Sequence, residues 1–332
     1  MNLEIQNLTV KYGRFTAISD LSLTLHSGGL TGLVGANGAG KSTLLKAIST
    51  LLRPTSGQIL LDGINICKKP GAMRHVLGYL PQNVPFYPNL SAWEYLIFLT
   101  SVKGLDEKKA ERQIRSLMAA LHLSDVGKKH LADFSGGMRQ RVGIAGALLG
   151  DPKVIIFDEP TAGLDPTERV AVRNLLMRLA ADRIVLLSTH IVSDVEAAAS
   201  SLILLKKGKV LYYGSPEDLA GYAEGHVWQC AVPSLSTIPE GVTVSSAVQG
   251  KSGIRVKIVG AQPAFGRPEA STPTLEDVSL HERFAWNSWN SKSGFSGTRA
   301  EIFLFRYGCA SGFYCVLVCA PDFQFRLFCP CY

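Results

Sequence analysis

Cysteine is nearly missing from most of this 332-residue chain: only Cys67 and Cys230 occur before residue 300. Two isolated thiols make no disulfide framework, so the main body reads as cytosolic. Long apolar runs are missing as well. No segment reaches the roughly 18 uninterrupted apolar residues of a spanning helix. The chain by itself is therefore excluded as a channel, and any solute it moves needs a pore from another polypeptide. The N-terminus carries Glu4 and lacks the basic start and apolar core of a secretory leader. Charge of one sign is scarce too: 34 basic against 27 acidic residues leave a formal +7, and no Lys/Arg block stands out. That dispersed bias suits phosphate ligands or an anionic membrane surface, and no nucleic acid is expected as a partner.

What is present is a chain with 46% hydrophobic residues, ample for a sizeable core in one large or two ordinary domains. Leu3, Ile5, Leu8 and Val10 alternate as in a strand, and a second strand is expected from Asp20 to Leu25. Residues 30–34 are a short apolar run entering a Gly-rich turn. Helical spacing follows, with Leu44, Leu45, Ile48, Leu51 and Leu52 apolar. Asp62-Gly63 signals a hairpin within 58–66. Residues 91–123 read as helical, with Ser91 as N-cap and Glu94 at the third helical position. Further helices are expected at 135–149, 168–182 and 192–200. Buried-type strands are expected at 153–157 and 183–188, and a last hairpin at 202–213 turns at Lys207-Gly208. Buried strands alternating with helices imply a largely parallel sheet covered on both faces. The helical block at about 85–150 interrupts that pattern as an inserted subdomain. After about residue 221, short strands, a proline-bearing linker at 261–273 and a helix at 274–283 suggest a small α+β extension.

Three motifs carry chemistry. Gly35, Ala36, Asn37, Gly38, Ala39, Gly40, Lys41 and Ser42 fit G-x-x-x-x-G-K-S between a strand and a helix. In such a loop the glycines let backbone N–H groups turn toward phosphate oxygens. Lys41 reaches the β- and γ-phosphates of ATP, and the Ser42 hydroxyl ligates Mg²⁺. The run from Val154 to Phe157 ends in Asp158 and Glu159, a buried strand presenting two carboxylates at its C-terminal edge. Asp158 suits Mg²⁺, and Glu159 suits polarisation of an attacking water. Ser135, Gly136 and Gly137 open a helix and offer a second anion site at its N-terminus. Two glycines in a first turn cost about 1 kcal/mol each against Ala, so a reason for them is wanted.

Ser-Gly-Gly-Met-Arg-Gln-Arg at 135–141 resembles the signature motif of the ABC-type ATPases, with Phe134 where that family usually has Leu. Other family elements fall in order. Tyr12 is similar to the aromatic that stacks on adenine, Gln82 to the Q-loop glutamine that reaches the metal, Asp165 to the D-loop aspartate, and His190 to the switch histidine. Thr43 completes the nucleotide-binding loop. The resemblance covers residues 2–218. It implies a P-loop fold of the ABC type: a mostly parallel α/β core, an antiparallel β subdomain and an inserted helical subdomain, within residues 1–220. It implies ATP and Mg²⁺ as ligands and ATP hydrolysis as the reaction, with Glu159, His190 and Gln82 in catalytic roles. It implies a homodimer, with ATP held between the Lys41 loop of one copy and Ser135 to Gly137 of the other. A separate membrane permease would be driven from the cytoplasmic face of the cell membrane. Pro85, Phe86, Tyr87, Pro88 and Trp93 would anchor it.

The extension at 221–285 resembles that of bacterial exporter ATPases, whose final helix is similar to Leu275-Glu276-Asp277-Val278-Ser279-Leu280. An ABC ATPase acting on ribosomes or nucleic acid is the alternative. Translation-type members carry two cassettes, and DNA-repair members carry long coiled coils or zinc modules; neither is found here. Residues 286–332 do not resemble the family. They hold five cysteines and 13 of the 28 aromatic residues fall in the last 49 positions. No ordered C-x-x-C pair occurs, and the segment reads as an out-of-frame or foreign terminus.

Overall fold

The computed structural model describes residues 1–250 and 253–280. Strands β1 (Asn2–Tyr12) and β2 (Phe15–His26) form a long antiparallel hairpin. Strand β3 (Gly29–Val34) runs into the Gly-rich loop, and helix α1 (Lys41–Ile48) follows it. Strands β4 (Ser56–Leu61) and β5 (Ile64–Asn65) turn through Asp62 and Gly63, both at positive φ, as the hairpin signal requires. Helix α2 (Pro70–Arg74) and strand β6 (Leu77–Leu80) lead to three helices, α3 (Ala92–Val102), α4 (Glu107–Ala120) and α5 (Gly136–Leu148). The core resumes with β7 (Val154–Asp158), α6 (Pro166–Ala180), β8 (Ile184–Thr189), α7 (Val192–Glu196), β9 (Ser201–Lys206) and β10 (Lys209–Gly214). Helix α8 (Pro216–Gly221), strands β11 (Val227–Val232), β12 (Thr243–Gly250), β13 (Gly253–Val259) and β14 (Glu269–Ala270), and helix α9 (Leu275–Leu280) complete the described chain.

Three sheets result. The first, ordered β2-β1-β4-β5, is antiparallel. The second, β10-β9-β3-β8-β7-β6, is parallel from β9 to β6 and carries β10 as an antiparallel edge. The third, β12-β13-β11-β14, is antiparallel and lies in the C-terminal segment. Parallel strands need cover on both faces, which explains why β7 and β8 are buried at every position. One apolar cluster joins Phe157, Ile155 and Val185 to Leu96, Ile114 and Ile144 of the three-helix block. Another fills the space between the first two sheets and α1, around Leu33, Leu44, Ile48 and Ile156.

Several local expectations change. Strand β2 starts at Phe15 rather than Asp20, because its first residues pair with the end of β1. Strand β6 and helices α2 and α8 give no clear sequence signal. Helix α7 stops at Glu196 because Ser200 N–H must reach Leu30 O to start β9 alongside β3. The proline-bearing stretch at 261–273 is no bare linker: Glu269 and Ala270 pair with Gln229 and Trp228. The expected helix at 274–283 is present as α9, with residues past 280 outside the described set. The cysteine-rich tail at 286–332 also lies outside the described residues.

Polar groups hold the helical ends. Ser91 and Glu94 form the reciprocal N-terminal box expected of them. Lys103, just past α3, donates from Nζ to Gly146 O (3.1 Å) and Leu149 O (2.8 Å) at the end of α5. Burial pushes its ammonium down to about 8, so it is still charged at pH 7. The last carbonyls of a helix lack intrahelical partners, and here Lys103 serves Gly146 and Leu149 while Gln113 Nε2 serves Leu148 (3.1 Å). Replacing Lys103 with Met therefore lowers stability by about 1–2 kcal/mol, read as a shift in the urea midpoint at pH 7. In α9, Asp277 is 1% exposed and accepts from Lys257 Nζ and from the backbone and hydroxyl of Thr274. Burial pushes its carboxyl up, but the donors of Lys257, Ser245 and Thr274 outweigh that and hold it below the usual range.

Candidate functional site

The parallel sheet sets the site by alignment. In register, Val34 of β3 faces Thr189 of β8, Ser188 faces Asp158 of β7, and Phe157 faces Leu80 of β6. The C-terminal ends of four neighbouring strands thus present the Gly-rich loop, His190, Asp158 with Glu159, and Gln82 along one edge. Ligands of open α/β sheets bind beyond such strand ends.

The Gly-rich loop turns tightly. Gly40 sits at φ +107°, and a Cβ there would lie 2.7 Å from Ala17 O, so only glycine fits before α1. Ala36, Asn37 and Gly38 are exposed, whereas Gly35 and Ala39 are buried against the core; Ser42 and Thr43 are half-buried on the first turn of α1. Lys41 is only 7% exposed and donates from Nζ to Gly35 O (2.6 Å) and Ala36 O (3.3 Å). Burial pushes its pKa down, and the charges of Glu159 and Asp158 pull it partly back. The ammonium is therefore close enough to feel both acids while it spans the mouth of the loop.

Asp158 and Glu159 are 3% and 8% exposed. Burial pushes Tyr79 of β6 up to about 12, with the Asp158 charge adding to it. Among the described residues, no hydrogen bond or ion pair engages the Asp158 carboxylate, and the Ser188 hydroxyl opposite it in the ladder is buried without a partner. The Asp158 carboxylate at the end of β7 and the Ser42 hydroxyl on the first turn of α1 are both oxygen donors. That set fits a hard cation such as Mg²⁺, which is commonly held by one carboxylate together with substrate phosphates. Glu159 has a left-handed backbone, φ +57°, which costs a non-glycine residue about 1–3 kcal/mol. Its N–H donates to Ser188 O (2.9 Å), and its Oε2 accepts from His190 Nδ1 (2.5 Å). The His190 side chain is 61% exposed against 9% for Glu159, so the pair runs from solvent into the buried acid.

Other expected residues stand apart. Ser135 caps α5, its Oγ accepting from Met138 N–H (3.2 Å), and Gly137 borders Gly163 and Glu168 rather than the Lys41 loop. Asp165 caps α6, where its N–H reaches Glu168 Oε2 (3.4 Å). Tyr12 is exposed at the tip of the first hairpin, directly across from Phe15, which is 63% exposed. Gln82 is exposed beyond β6. Of the aromatics after it, Phe86 packs on Tyr95 and Trp93 lies under the Arg115 guanidinium, so both serve the helical core. Tyr87 stays on the surface with Phe98, their rings edge-on at 5.4 Å.

Phe15, Thr161, Asp194 and Gln140 were not singled out from sequence. Thr161 donates to Asp194 Oδ2 (2.7 Å), both buried, and ties the turn after Glu159 to α7. A buried Thr–Asp pair 33 residues apart leaves no local signal. Gln140 lay inside the 135–141 motif, but only the meeting of α5 and β7 gives it a partner.

A family profile described as ABC transporter matches residues 18–162. The chain is 34% identical over 230 residues to the uncharacterised ABC transporter ATP-binding protein YxlF of Bacillus subtilis, covering 69% of this chain and 76% of that one. It is 35% identical over 267 residues to the human phospholipid-transporting ATPase ABCA3, covering 79% of this chain and 15% of that much longer protein. A solved ATP-binding subunit of an ABC transporter matches with a TM-score of 0.62 at 32% identity, covering 67% of this chain and 93% of that chain. An ATP-binding cassette solved as a dimer, in a post-hydrolysis state with ADP and Pi, matches with a TM-score of 0.59 at 25% identity, covering 64% and 98%.

Proposed function

The chain belongs to the ATP-binding proteins of ABC transporters and is an ATP hydrolase, and from that premise we propose that it is the motor subunit of an exporter. Two copies share two ATP sites and drive a separate permease from the cytoplasmic face of the cell membrane. The observation that carries this reading is the division of the site within one chain. Lys41, Asp158, Glu159 and His190 gather where β3, β7 and β8 end, with Ser42 on the first turn of α1, while Ser135 caps α5 and Gly137 sits against Gly163 and Glu168. A second copy is what would bring a helix N-terminus to the open side of the first copy's phosphate loop. The post-hydrolysis cassette named above is itself a dimer, which supports pairing of two copies.

In this mechanism Tyr12 stacks on adenine, and the Lys41 ammonium leaves the Gly35 and Ala36 carbonyls for the phosphates. Ser42, Asp158 and Gln82 would hold Mg²⁺, which supplies positive charge against the phosphate oxygens. Glu159 takes a proton from the attacking water, and His190 orients Glu159 through Nδ1 while its exposed ring meets the γ-phosphate side. Asp165 of each copy approaches the opposite site. Loss of the γ-phosphate removes the charge that joins the two copies, and the dimer reopens.

Among the described residues no helix is long and apolar enough to cross a membrane; in this reading the pore belongs to the permease. Tyr87 and Phe98 give that partner an exposed aromatic edge. Export is favoured by the short C-terminal extension, with a third sheet and the α9 helix. The test is purification of the tagged chain from membranes, with the partner identified by mass spectrometry. The expected result is a co-purifying integral protein and ATP-driven uptake of its substrate by inside-out vesicles. Recovery on ribosomes or nucleic acid would replace this reading with the non-transport one.

A further inference from the structure

Helix α5 stands on the turn that follows β7. Its Gln140 side chain donates from Nε2 to Glu159 O (3.2 Å), the carbonyl of the left-handed residue at the end of β7. The same carbonyl closes the following turn by accepting from Ala162 N–H (3.3 Å). The next residue, Arg141, is 7% exposed and makes three further ties. Its guanidinium pairs with Glu168 Oε1 (2.6 Å) and donates to Leu121 O (2.7 Å) and His122 O (3.1 Å). Glu168 in turn accepts from the N–H of Asp165. At the first turn of α5 there is no slack: a Cβ on Gly137 would lie 3.1 Å from Gly163 O and 3.3 Å from Glu168 Oε2. Helix α5 therefore cannot shift along or about its axis without pulling the Glu159 turn and the 163–168 segment.

We propose that Gln140 is a positioning residue for Glu159, and that through it α5 couples the two ATP sites of the dimer. The N-terminus of α5 meets one nucleotide, while Gln140 sets the backbone of the residue that acts on the other. Closure of one site seats α5, and the seated Gln140 amide fixes the Glu159 carbonyl so that its carboxylate faces the water of the second site. This rests on the shared-site reading above. It adds an assignment that reading does not contain: a contact within one protomer that links two separate nucleotides. Arg141 and Glu168 keep α5 and the start of α6 in step and act in the same sense. Gln140 is the discriminating position because it is half-buried and carries no ion pair, so its removal disturbs packing little.

The experiment compares the full-length parent, Gln140→Ala and Gln140→Glu as ATP-dependent hydrolysis curves, with melting temperature as the control. In the glutamate variant an acceptor oxygen faces the Glu159 carbonyl, so the bond cannot form while the shape is kept. The expected result for both variants is a roughly tenfold lower kcat, about 1.4 kcal/mol of barrier. KM for ATP stays within twofold, and the Hill coefficient falls from above one in the parent to one. Unchanged kcat and cooperativity would overturn the proposal. So would losses of kcat and KM together that track a lowered melting temperature, since those are the mark of a packing role. A parallel sizing run on Glu159→Gln with ATP separates the premises. If that variant dimerises and the Gln140 variants behave as the parent, only the coupling fails. If it stays monomeric, the shared-site reading falls and the coupling with it.

Discussion

Glu159→Gln yields a chain that closes on ATP and stays closed, with turnover reduced by about 10²–10⁴-fold, the usual worth of a positioned general base. The amide keeps the size of the acid in a position where the side chain is 9% exposed, so the fold and the left-handed turn are retained. It cannot accept a proton from water, and it removes one negative charge from a site that must receive a polyphosphate. Binding is therefore kept or tightened while the chemical step is lost. His190 still reaches position 159 by hydrogen bond, so the loss is specific to proton transfer rather than to alignment. Size-exclusion chromatography with and without ATP, together with a steady-state hydrolysis assay, checks this. A variant that hydrolyses within twofold of the parent and elutes as a monomer at high protein concentration sinks the assignment of Glu159 as base.

Lys41→Ala lowers ATP affinity by roughly 10²–10³-fold, corresponding to about 3–4 kcal/mol. Two effects add. Charge-assisted bonds to phosphate are about twice as strong as neutral ones, and they are made here by an ammonium already stripped of most water. The second effect is repulsion: without Lys41, the buried carboxylates of Asp158 and Glu159 face the phosphates with one positive charge fewer between them. Lys41→Arg is expected to restore little, because the guanidinium is a wide planar fork and the slot beside Gly35 O is fitted to one ammonium at 2.6 Å. Titration of a fluorescent ATP analogue measures the loss, with far-UV circular dichroism confirming that the fold persists. An unchanged dissociation constant refutes the role given to Lys41.

Legibility from sequence followed how local each physical cause is. The 35–42 segment was readable as a tight strand-to-helix turn because backbone at positive φ favours glycine, as at Gly38 and Gly40. The Ser91–Glu94 box and the Asp62-Gly63 turn were readable because both bonds close within a few residues. Strand β6 was not, since four residues with a glycine among them carry no period, and only its place beside β7 makes them a strand. The pairing of Glu269 and Ala270 with β11 was hidden for the same reason, in a stretch whose prolines point to loop. Glu159 was legible as an acid at a strand end, but its left-handed backbone was not, because that arises from Ser188 and Gln140 on distant elements. Phe86 and Trp93 were legible as aromatics near a surface, yet which of their neighbours would cover them is a tertiary matter.

Helix α5 carries Gly136, Gly137, Gly143 and Gly146, and most of its residues are buried. Four glycines make the helical state of this peptide poorer than an alanine version by roughly 3–4 kcal/mol. Cβ atoms on Gly143 and Gly146 would lie 2.9 Å from Leu80 and 2.6 Å from Leu99, so the small residues are where other parts of the protein press in. The helix thus exists only in company. A fragment spanning 85–150 lacks Leu80, Ile155, Phe157 and Val185, all members of the apolar cluster that α5 joins, and is expected to hold this helix poorly. The element that would present its N-terminus to a second copy is for that reason held in shape by the rest of its own chain. A chain able to clasp a partner's nucleotide would be one whose own core is already complete.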